Sequence, residues 1–165
     1  MLHKANIAGL TIDPASNTPI IILKTEDHDQ AIPIWIGLLE ATSIASALQN
    51  IEFERPMTHD LFKNLSQLLN ISVTSVEVCD LRDSTFFALI HFDGGDRPFT
   101  MDARPSDAIA IALRFQAPIY VDDKVISKSK LSDENVEVLD TSEEGKKWAE
   151  YLEKLSPEEF GKYKV

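Results

Sequence analysis

The run DARPSDAIAIALR, residues 102–114, joins a cluster of polar side chains to a helix with almost no polar surface. Pro105 suits the first position of a helix, because its missing N–H would have no intrahelical partner there. Asp107 then falls in the first turn, where the helix dipole favours a carboxylate. Residues 108–113 are apolar on every side, which predicts a buried helix. Polar groups at the edge of a core need partners or a chemical task. The groups at this helix start are Asp102, Arg104, Ser106 and Asp107.

Two other runs place an arginine within a few residues of an aspartate in a turn-like context. They are RPMTHD, with Arg55, His59 and Asp60, and DLRDST, with Asp80, Arg82 and Asp83. These residue types fit two interpretations. They could form an ion-pair and hydrogen-bond network that fastens three turns together, or they could form a working site of carboxylates, guanidinium groups and an imidazole base.

Four runs along the chain carry a resemblance to a known family. Taken in order, PIWIGLLEA, RPMTHDLF, DLRDSTFFA and DARPSDAIAIALR closely resemble the bifunctional nuclease domain family. The resemblance covers roughly residues 1–122, and the last run is its most specific part. It implies an enzyme that cuts both DNA and RNA.

The leading hypothesis is therefore a metal-assisted phosphodiesterase, in which carboxylates hold a divalent metal ion, Mg²⁺ or Mn²⁺, against the phosphate. The candidate catalytic residues are His59, Asp60, Asp102, Arg104 and Asp107. The candidate substrate-binding residues are Arg55, Arg82 and Ser106. Further candidate metal ligands, beside Asp102 and Asp107, are Glu40, Asp80 and Asp83.

The rival hypothesis is a non-enzymatic oligomeric module, whose Arg and Asp runs are structural, fix an interface or bind a small anion. The formal net charge of −11 favours it, because affinity for nucleic acid comes mainly from Lys and Arg that neutralise phosphates. No basic patch is visible in the sequence. The acidic charge thus favours the binding module, whereas the family resemblance favours the enzyme.

The pattern of apolar and turn residues predicts an α+β fold, with helices packed against a mixed, mostly antiparallel β-sheet. Predicted strands are 2–12, 20–24, 31–36, 73–80, 85–92, 97–102 and 119–121. Pro33 predicts that the third of these is an edge strand or ends early. Predicted helices are 38–50, a second with Thr58 as its N-cap, and the buried helix after Arg104. We expect a single domain over 1–122, followed over 123–165 by a charged linker and a C-terminal helical extension carrying Trp148 and Leu152.

Several protein classes are not indicated. The sequence has no GxSxG, HExxH, P-loop or CxxC pattern, which argues against the commonest hydrolase, metalloprotease, nucleotide-binding and redox sites. It has no basic leader and no window of about 18 apolar residues, so we expect a cytoplasmic protein without membrane contact. The single cysteine, Cys79, lies in an alternating strand pattern and reads as a small buried hydrophobe.

Nuclease activity of this chain should require a divalent cation, because a net charge of −11 offers no other evident way to approach a polyanion. We expect Mg²⁺ or Mn²⁺ to support cleavage of labelled DNA and RNA oligonucleotides and excess EDTA to abolish it. Undiminished cleavage in excess chelator would refute the requirement. Activity that disappears on further purification would identify a contaminant and favour the binding module.

The chain should also form a homo-oligomer with a two-fold interface. Its apolar faces exceed what one small sheet readily covers: Pro33 and Trp35 on a strand, the small-residue helix from Leu38, and the stripe with Trp148 and Leu152. Light scattering at micromolar concentration should give a multiple of the monomer mass of 18.5 kDa. A monomeric mass would count decisively against this prediction.

Overall fold

The computed structural model describes residues 1–27, 30–95 and 97–132. Within these ranges the chain forms a seven-stranded sheet with four helices packed against it. The strands are β1 (Leu2–Asp13), β2 (Thr18–Thr25), β3 (Ala31–Trp35), β4 (Ser72–Arg82), β5 (Thr85–Asp93), β6 (Pro98–Ala103) and β7 (Ile119–Asp122). The helices are α1 (Leu38–Leu48), α2 (Thr58–Leu68), α3 (Pro105–Phe115) and α4 (Asp123–Ser132). None of these helices is long and apolar enough to span a bilayer. The predicted α+β class is confirmed.

The strands lie in the order β3-β2-β1-β7-β4-β5-β6. Neighbouring strands run antiparallel except β4 and β7, which pair in parallel from Val76 opposite Ile119 to Val78 opposite Val121. The short strand β7 therefore joins the N-terminal hairpin to the meander β4-β5-β6. The prediction of a mixed, mostly antiparallel sheet is confirmed.

Local turn chemistry determines the hairpins. The β4–β5 turn consists of Asp83 and Ser84, whose φ values of 47° and 60° give both residues the left-handed conformation of a tight two-residue hairpin. At the other side of the sheet, β3 is the edge strand, as its Pro33 predicts, since proline cannot donate a ladder hydrogen bond.

Helix α3 forms the centre of the core. Its residues from Ala108 to Ala112 are at most 5% exposed, and it packs on β4 and β5 and against α1 and α2. Arg104 is its N-cap residue and Pro105 occupies the first turn, as expected from the missing N–H of proline. The prediction of a buried helix with a polar start is confirmed.

Helix α2 begins differently from our expectation. Thr58 was predicted as its N-cap, but Met57 holds that position and Thr58 is the first helical residue. The Asp60 carboxylate accepts a hydrogen bond from the Met57 N–H at 3.0 Å. An acidic side chain in the first turn thus satisfies the N–H of the N-cap residue itself.

Helix α4 occupies the start of the segment that we assigned to the charged linker, 123–165. Its Val125 and Ile126 are buried in the same core cluster as α3, and the helix packs against β4 and β7. Val125 and Ile126 are adjacent and Leu131 follows five residues later, which gives only a weak helical period, so the sequence pattern did not reveal this helix. The predicted stripe with Trp148 and Leu152 lies outside the described residues.

Helix α2 carries an exposed apolar stripe. The stripe consists of Leu61, Leu65, Leu68 and Leu69, each more than half exposed. Trp35 on the edge strand is 43% exposed. Exposed apolar faces of this kind are typical of surfaces that bind another protein. They are compatible with homo-oligomerisation, which stays a prediction.

A buried histidine near the start of β1 ties three segments together. The His3 side chain is 8% exposed, with Nε2 at 2.5 Å from Asp123 Oδ1 and Nδ1 at 3.4 Å from Asp27 Oδ2. The hydrogen bond to Asp123, followed by that to Asp27, raises the pKa of His3 above its ordinary value despite burial. The protonated ring is therefore the form that the fold stabilises.

Thermal stability should consequently depend on pH through His3. A raised folded-state pKa gives stability that is complete below the unfolded pKa of about 6.5 and is lost as the pH rises through the folded value. The melting temperature of the chain should therefore fall as the pH rises above about 6.5. In His3→Gln the same scan, followed by circular dichroism, should be flatter. Identical pH profiles for the two proteins would show that the ring contributes nothing.

Candidate active site

Three helices bring their polar ends together around a cleft of about 310 Å³. Helix α1 contributes Glu40 and Ser43, α2 contributes His59 from its first turn, and α3 contributes Arg104 and Asp107. The remaining lining residues are Leu39, Thr42, Ser46, Phe53, Met57, Thr58 and Arg114. Because α1 and α2 both pack against α3, side chains far apart in the chain converge here.

His59 bridges the two other helices through both of its ring nitrogens. Nε2 lies 3.0 Å from Asp107 Oδ1, and Nδ1 lies 2.8 Å from Ser43 Oγ. A neutral imidazole carries one N–H, and the carboxylate can only accept it, so the proton belongs on Nε2. Nδ1 then carries a lone pair that accepts from the Ser43 hydroxyl. The contacts thus orient His59 as a base that faces a serine.

Asp107 is the most heavily bonded carboxylate of the cleft. Besides His59, it accepts from Arg104 through Nε at 2.6 Å and through the NH2 nitrogen at 3.1 Å. Burial would raise the pKa of Asp107, but the hydrogen bonds from Arg104 and His59 outweigh it and hold that pKa below its ordinary value. Asp107 is therefore a carboxylate at neutral pH, able to stabilise a protonated His59.

Arg104 also joins α3 to α1. Its NH1 nitrogen donates to Glu40 Oε1 at 2.9 Å, while its side chain stays 65% exposed. The Glu40 carboxylate folds back over Gly37, the N-cap of α1, where a Cβ would collide with it. A glycine at position 37 therefore leaves the room that Glu40 needs to reach Arg104.

Arg114, near the end of α3, is the buried cation of the site. Its side chain is 7% exposed, and its Nε donates to Asp60 Oδ1 at 2.5 Å. Its NH1 nitrogen donates to the backbone oxygens of Ser43 at 3.3 Å and Ala110 at 2.9 Å. One guanidinium thereby contacts all three helices that line the cleft.

A second cleft, of about 270 Å³, shares Glu40 and Arg104 with the first. It is also lined by Ser106 and, from the β4–β5 turn, by Ser84 and Thr85. The run DLRDST therefore reaches this cleft through its two hydroxyl residues. Its charged residues line neither cleft.

Those charged residues form a separate cluster. Asp80 accepts from Arg82 Nε at 2.6 Å and from Lys128 Nζ of α4 at 2.6 Å. The hydrogen bonds from Lys128 and then Arg82 hold the pKa of Asp80 well below its usual range. Arg82 further lies over the Phe87 ring, and Asp83 is a turn residue. The structure thus places the predicted metal ligands Asp80 and Asp83 apart from Asp107.

Two other candidates and the cysteine lie outside both clefts. Asp102 is an exposed residue of β6 opposite Leu89, and Arg55 is exposed in the connection between α1 and α2. Burial raises the pKa of the Cys79 thiol, which keeps it protonated and a poor nucleophile. The described site therefore consists of groups on α1, α2 and α3.

Sequence reasoning missed two members of this site, Ser43 and Arg114. Each lies at helical spacing from a residue that was identified. Ser43 follows Glu40 by three positions on α1, and Arg114 follows Asp107 by seven on α3, so each shares a helix face with it. Extending each candidate along its helix face would have found both.

The donor set does not fit a divalent cation held by the protein alone. Among the described residues, no three His, Cys, Asp or Glu side chains group as a cation site. Both carboxylates that line the cleft, Asp107 and Glu40, are engaged by Arg104, and the candidate Asp60, which lines neither cleft, is engaged by Arg114. Carboxylates committed to arginine offer few lone pairs to a metal ion.

Comparison with known proteins gives matches over most of the chain. A family model described as the bifunctional nuclease domain matches residues 21–134. An uncharacterized protein of Mycobacterium tuberculosis is 37% identical over 164 residues, which cover 96% of this chain and 98% of that protein. Bifunctional nuclease 2 of Arabidopsis thaliana is 30% identical over 124 residues, covering 68% of this chain and 38% of that protein. Bifunctional nuclease 1 of Oryza sativa subsp. indica is 27% identical over 109 residues, covering 64% and 33%.

The family match includes every element that lines the two clefts. It begins within β2 and ends after α4, so α1, α2, the β4–β5 turn and α3 all fall inside it. The plant relatives, by contrast, are matched over only about a third of their own length. On the strength of the family model, this chain belongs to the bifunctional nuclease domain family.

Proposed function

We propose that this chain hydrolyses phosphodiester bonds of DNA and RNA in the cleft around His59. The observation that carries the proposal is the bridging of His59 between Asp107 and Ser43. An imidazole that donates to a carboxylate through one nitrogen presents the other as a general base, which is what hydrolysis of a phosphodiester needs. Membership of the bifunctional nuclease domain family supports nucleic acid as the substrate.

Arg104 is suited to hold the phosphate. Asp107 and Glu40 engage three of its N–H groups, through Nε, NH1 and NH2. A guanidinium has five donors, so two remain for a further acceptor. The side chain is 65% exposed at the junction of the two clefts. A phosphate oxygen there would accept a charge-assisted hydrogen bond from Arg104, whose positive charge would partly offset that of the phosphate.

The same ion pairs reduce the conflict between an acidic chain and a polyanionic substrate. Arg104 pairs with both Asp107 and Glu40, and Arg114 pairs with Asp60, so two guanidinium charges offset two of these three carboxylate charges. The net charge of −11 therefore overstates the repulsion at the cleft. The requirement for Mg²⁺ or Mn²⁺ stays a prediction, and the residues described here do not depend on it for their roles.

His59→Gln and Asp107→Asn should each lower cleavage of DNA and RNA by about 10²-fold or more, because they remove the base or the group that orients it. Their melting temperatures should change little, since the ion pair of Asp107 is with an arginine that is 65% exposed. Solvent-screened pairs contribute about 1 kcal/mol or less. Cleavage assays and thermal unfolding on the same preparations test both statements. Stable variants with full activity would remove these residues from catalysis.

Arg104→Ala has a closely matched control in Arg82→Ala. Both arginines are about two-thirds exposed, and each donates through Nε to an aspartate at 2.6 Å, but Arg82 lines neither cleft. Arg104→Ala should lower kcat/KM by about 10-fold or more through the lost phosphate contact, while Arg82→Ala should leave it within about two-fold. Equal losses would indicate a general charge effect. Tight nucleic-acid binding without cleavage in the purified wild-type chain would favour the binding module instead.

A further inference from the structure

The hydroxyl group of Ser43 differs from its neighbours on α1. Thr42 donates its hydroxyl to the Leu38 carbonyl at 2.9 Å, and Ser46 donates to the Ser43 carbonyl at 2.9 Å. Serine and threonine inside helices usually make such bonds to their own backbone. Ser43 Oγ instead lies 2.8 Å from His59 Nδ1 on another helix. Its hydroxyl is thus directed to a base.

Both ring nitrogens of His59 are occupied in this arrangement. Nε2 is paired with Asp107, and Nδ1 with Ser43 Oγ. The proton that His59 is placed to accept is therefore that of the Ser43 hydroxyl. A water molecule could take this position only by displacing the serine. Hydroxyl, imidazole and carboxylate in one hydrogen-bonded line are the arrangement that activates a serine for nucleophilic attack.

We infer that Ser43 is the nucleophile of this cleft and that cleavage proceeds through a covalent phosphoserine diester at its Oγ. The inference rests on the proposed phosphodiesterase function and specifies its mechanism. It also defines an activity that does not depend on nucleic acid, the capture of reactive organophosphorus esters by Ser43.

The reaction has two balanced steps. In the first, Ser43 Oγ bonds to phosphorus, its proton passes to His59 Nδ1, and the bond from phosphorus to the leaving nucleotide oxygen breaks. That oxygen lies opposite Oγ in an in-line displacement, so it takes a proton from solvent while His59 keeps the serine proton. In the second, water bonds to phosphorus opposite Oγ and gives a proton to solvent, the bond from phosphorus to Oγ breaks, and His59 returns its proton to Ser43. The sum is one phosphodiester and one water giving a phosphomonoester and an alcohol, while Asp107 stabilises the protonated imidazole in both steps.

The geometry suits a small organophosphorus probe. Leu39, Phe53 and Met57 give the cleft apolar walls beside Ser43. Diisopropyl fluorophosphate carries two apolar groups on a reactive phosphorus, and attack by Oγ would release fluoride. The adduct can be located by peptide mass spectrometry on the full chain.

Labelling should occur at Ser43 in the wild type and should be absent in Ser43→Ala. It should also be reduced by about 10²-fold or more in His59→Gln, which lacks the base. Ser66→Ala is the control, because Ser66 is a buried serine of α2 that lines neither cleft. That variant should be labelled as the wild type is. Labelling that persists unchanged in His59→Gln would contradict activation by the imidazole.

A second experiment uses the proposed substrate. Acid quenching of the wild type with a radiolabelled oligonucleotide should trap label on the protein in a denaturing gel, and Ser43→Ala should trap none and cut at least about 10²-fold more slowly. Cleavage by Ser43→Ala at the wild-type rate would overturn the inference and leave the proposed function standing. An active wild type that yields neither adduct would overturn it as well. Labelling of Ser43 in a chain that cuts no nucleic acid would support the nucleophile and reject the proposed substrate.

Discussion

The relative positions of the three site helices depend on the hydrogen bonds of one side chain, the buried guanidinium of Arg114. It bonds to the Asp60 carboxylate on α2, to the Ser43 carbonyl on α1 and to the Ala110 carbonyl of its own helix. The Arg114 side chain is 7% exposed and that of Asp60 is 30% exposed, so losing either partner would leave the other charge partly buried and unpaired. A planar fork of donors enforces direction as well as distance. The position of Ser43 relative to His59 is thus a consequence of how α1 and α2 are held on α3.

Helix α3 combines two roles that conflict in most sequences. Its middle, Ala108–Ala112, is buried against the sheet and gives the rigidity of a packed core. Its start and end carry Arg104, Asp107 and Arg114, which are charged and point to one side. The cost of placing these charges beside the core is offset because each has an oppositely charged partner. The pairing with Arg104 also keeps Asp107 ionised, and Asp107 in turn bonds to His59 Nε2. The ion pair at the start of α3 therefore also orients the proposed base.

Much of the fold follows from short-range patterns. The hairpins, the edge position of β3 and the buried α3 were all predicted, because turn residues, Pro33 and apolar periodicity act within a few residues. The position of β7 was not predictable in this way. A four-residue strand carries little pattern, and its insertion between β1 and β4 brings together strands that are distant in the chain. Helix α4 was not predicted for a similar reason, because Val125 and Ile126 are adjacent and the buried residue that follows them, Ser129, is polar.

The sequence by itself determined the chemical types present and the contacts that are local. Arg104 and Asp107 are three residues apart at a helix start, and Asp80 and Arg82 are two apart on a strand, so both pairs form within their own segment. Which of these pairs belongs to a cleft was decided only by the tertiary structure. The line from Ser43 through His59 to Asp107 spans three helices, with contacts 16 and 48 residues apart in the chain. Such contacts arise from the packing of α1 and α2 on α3, and no spacing along the chain encodes which faces will meet.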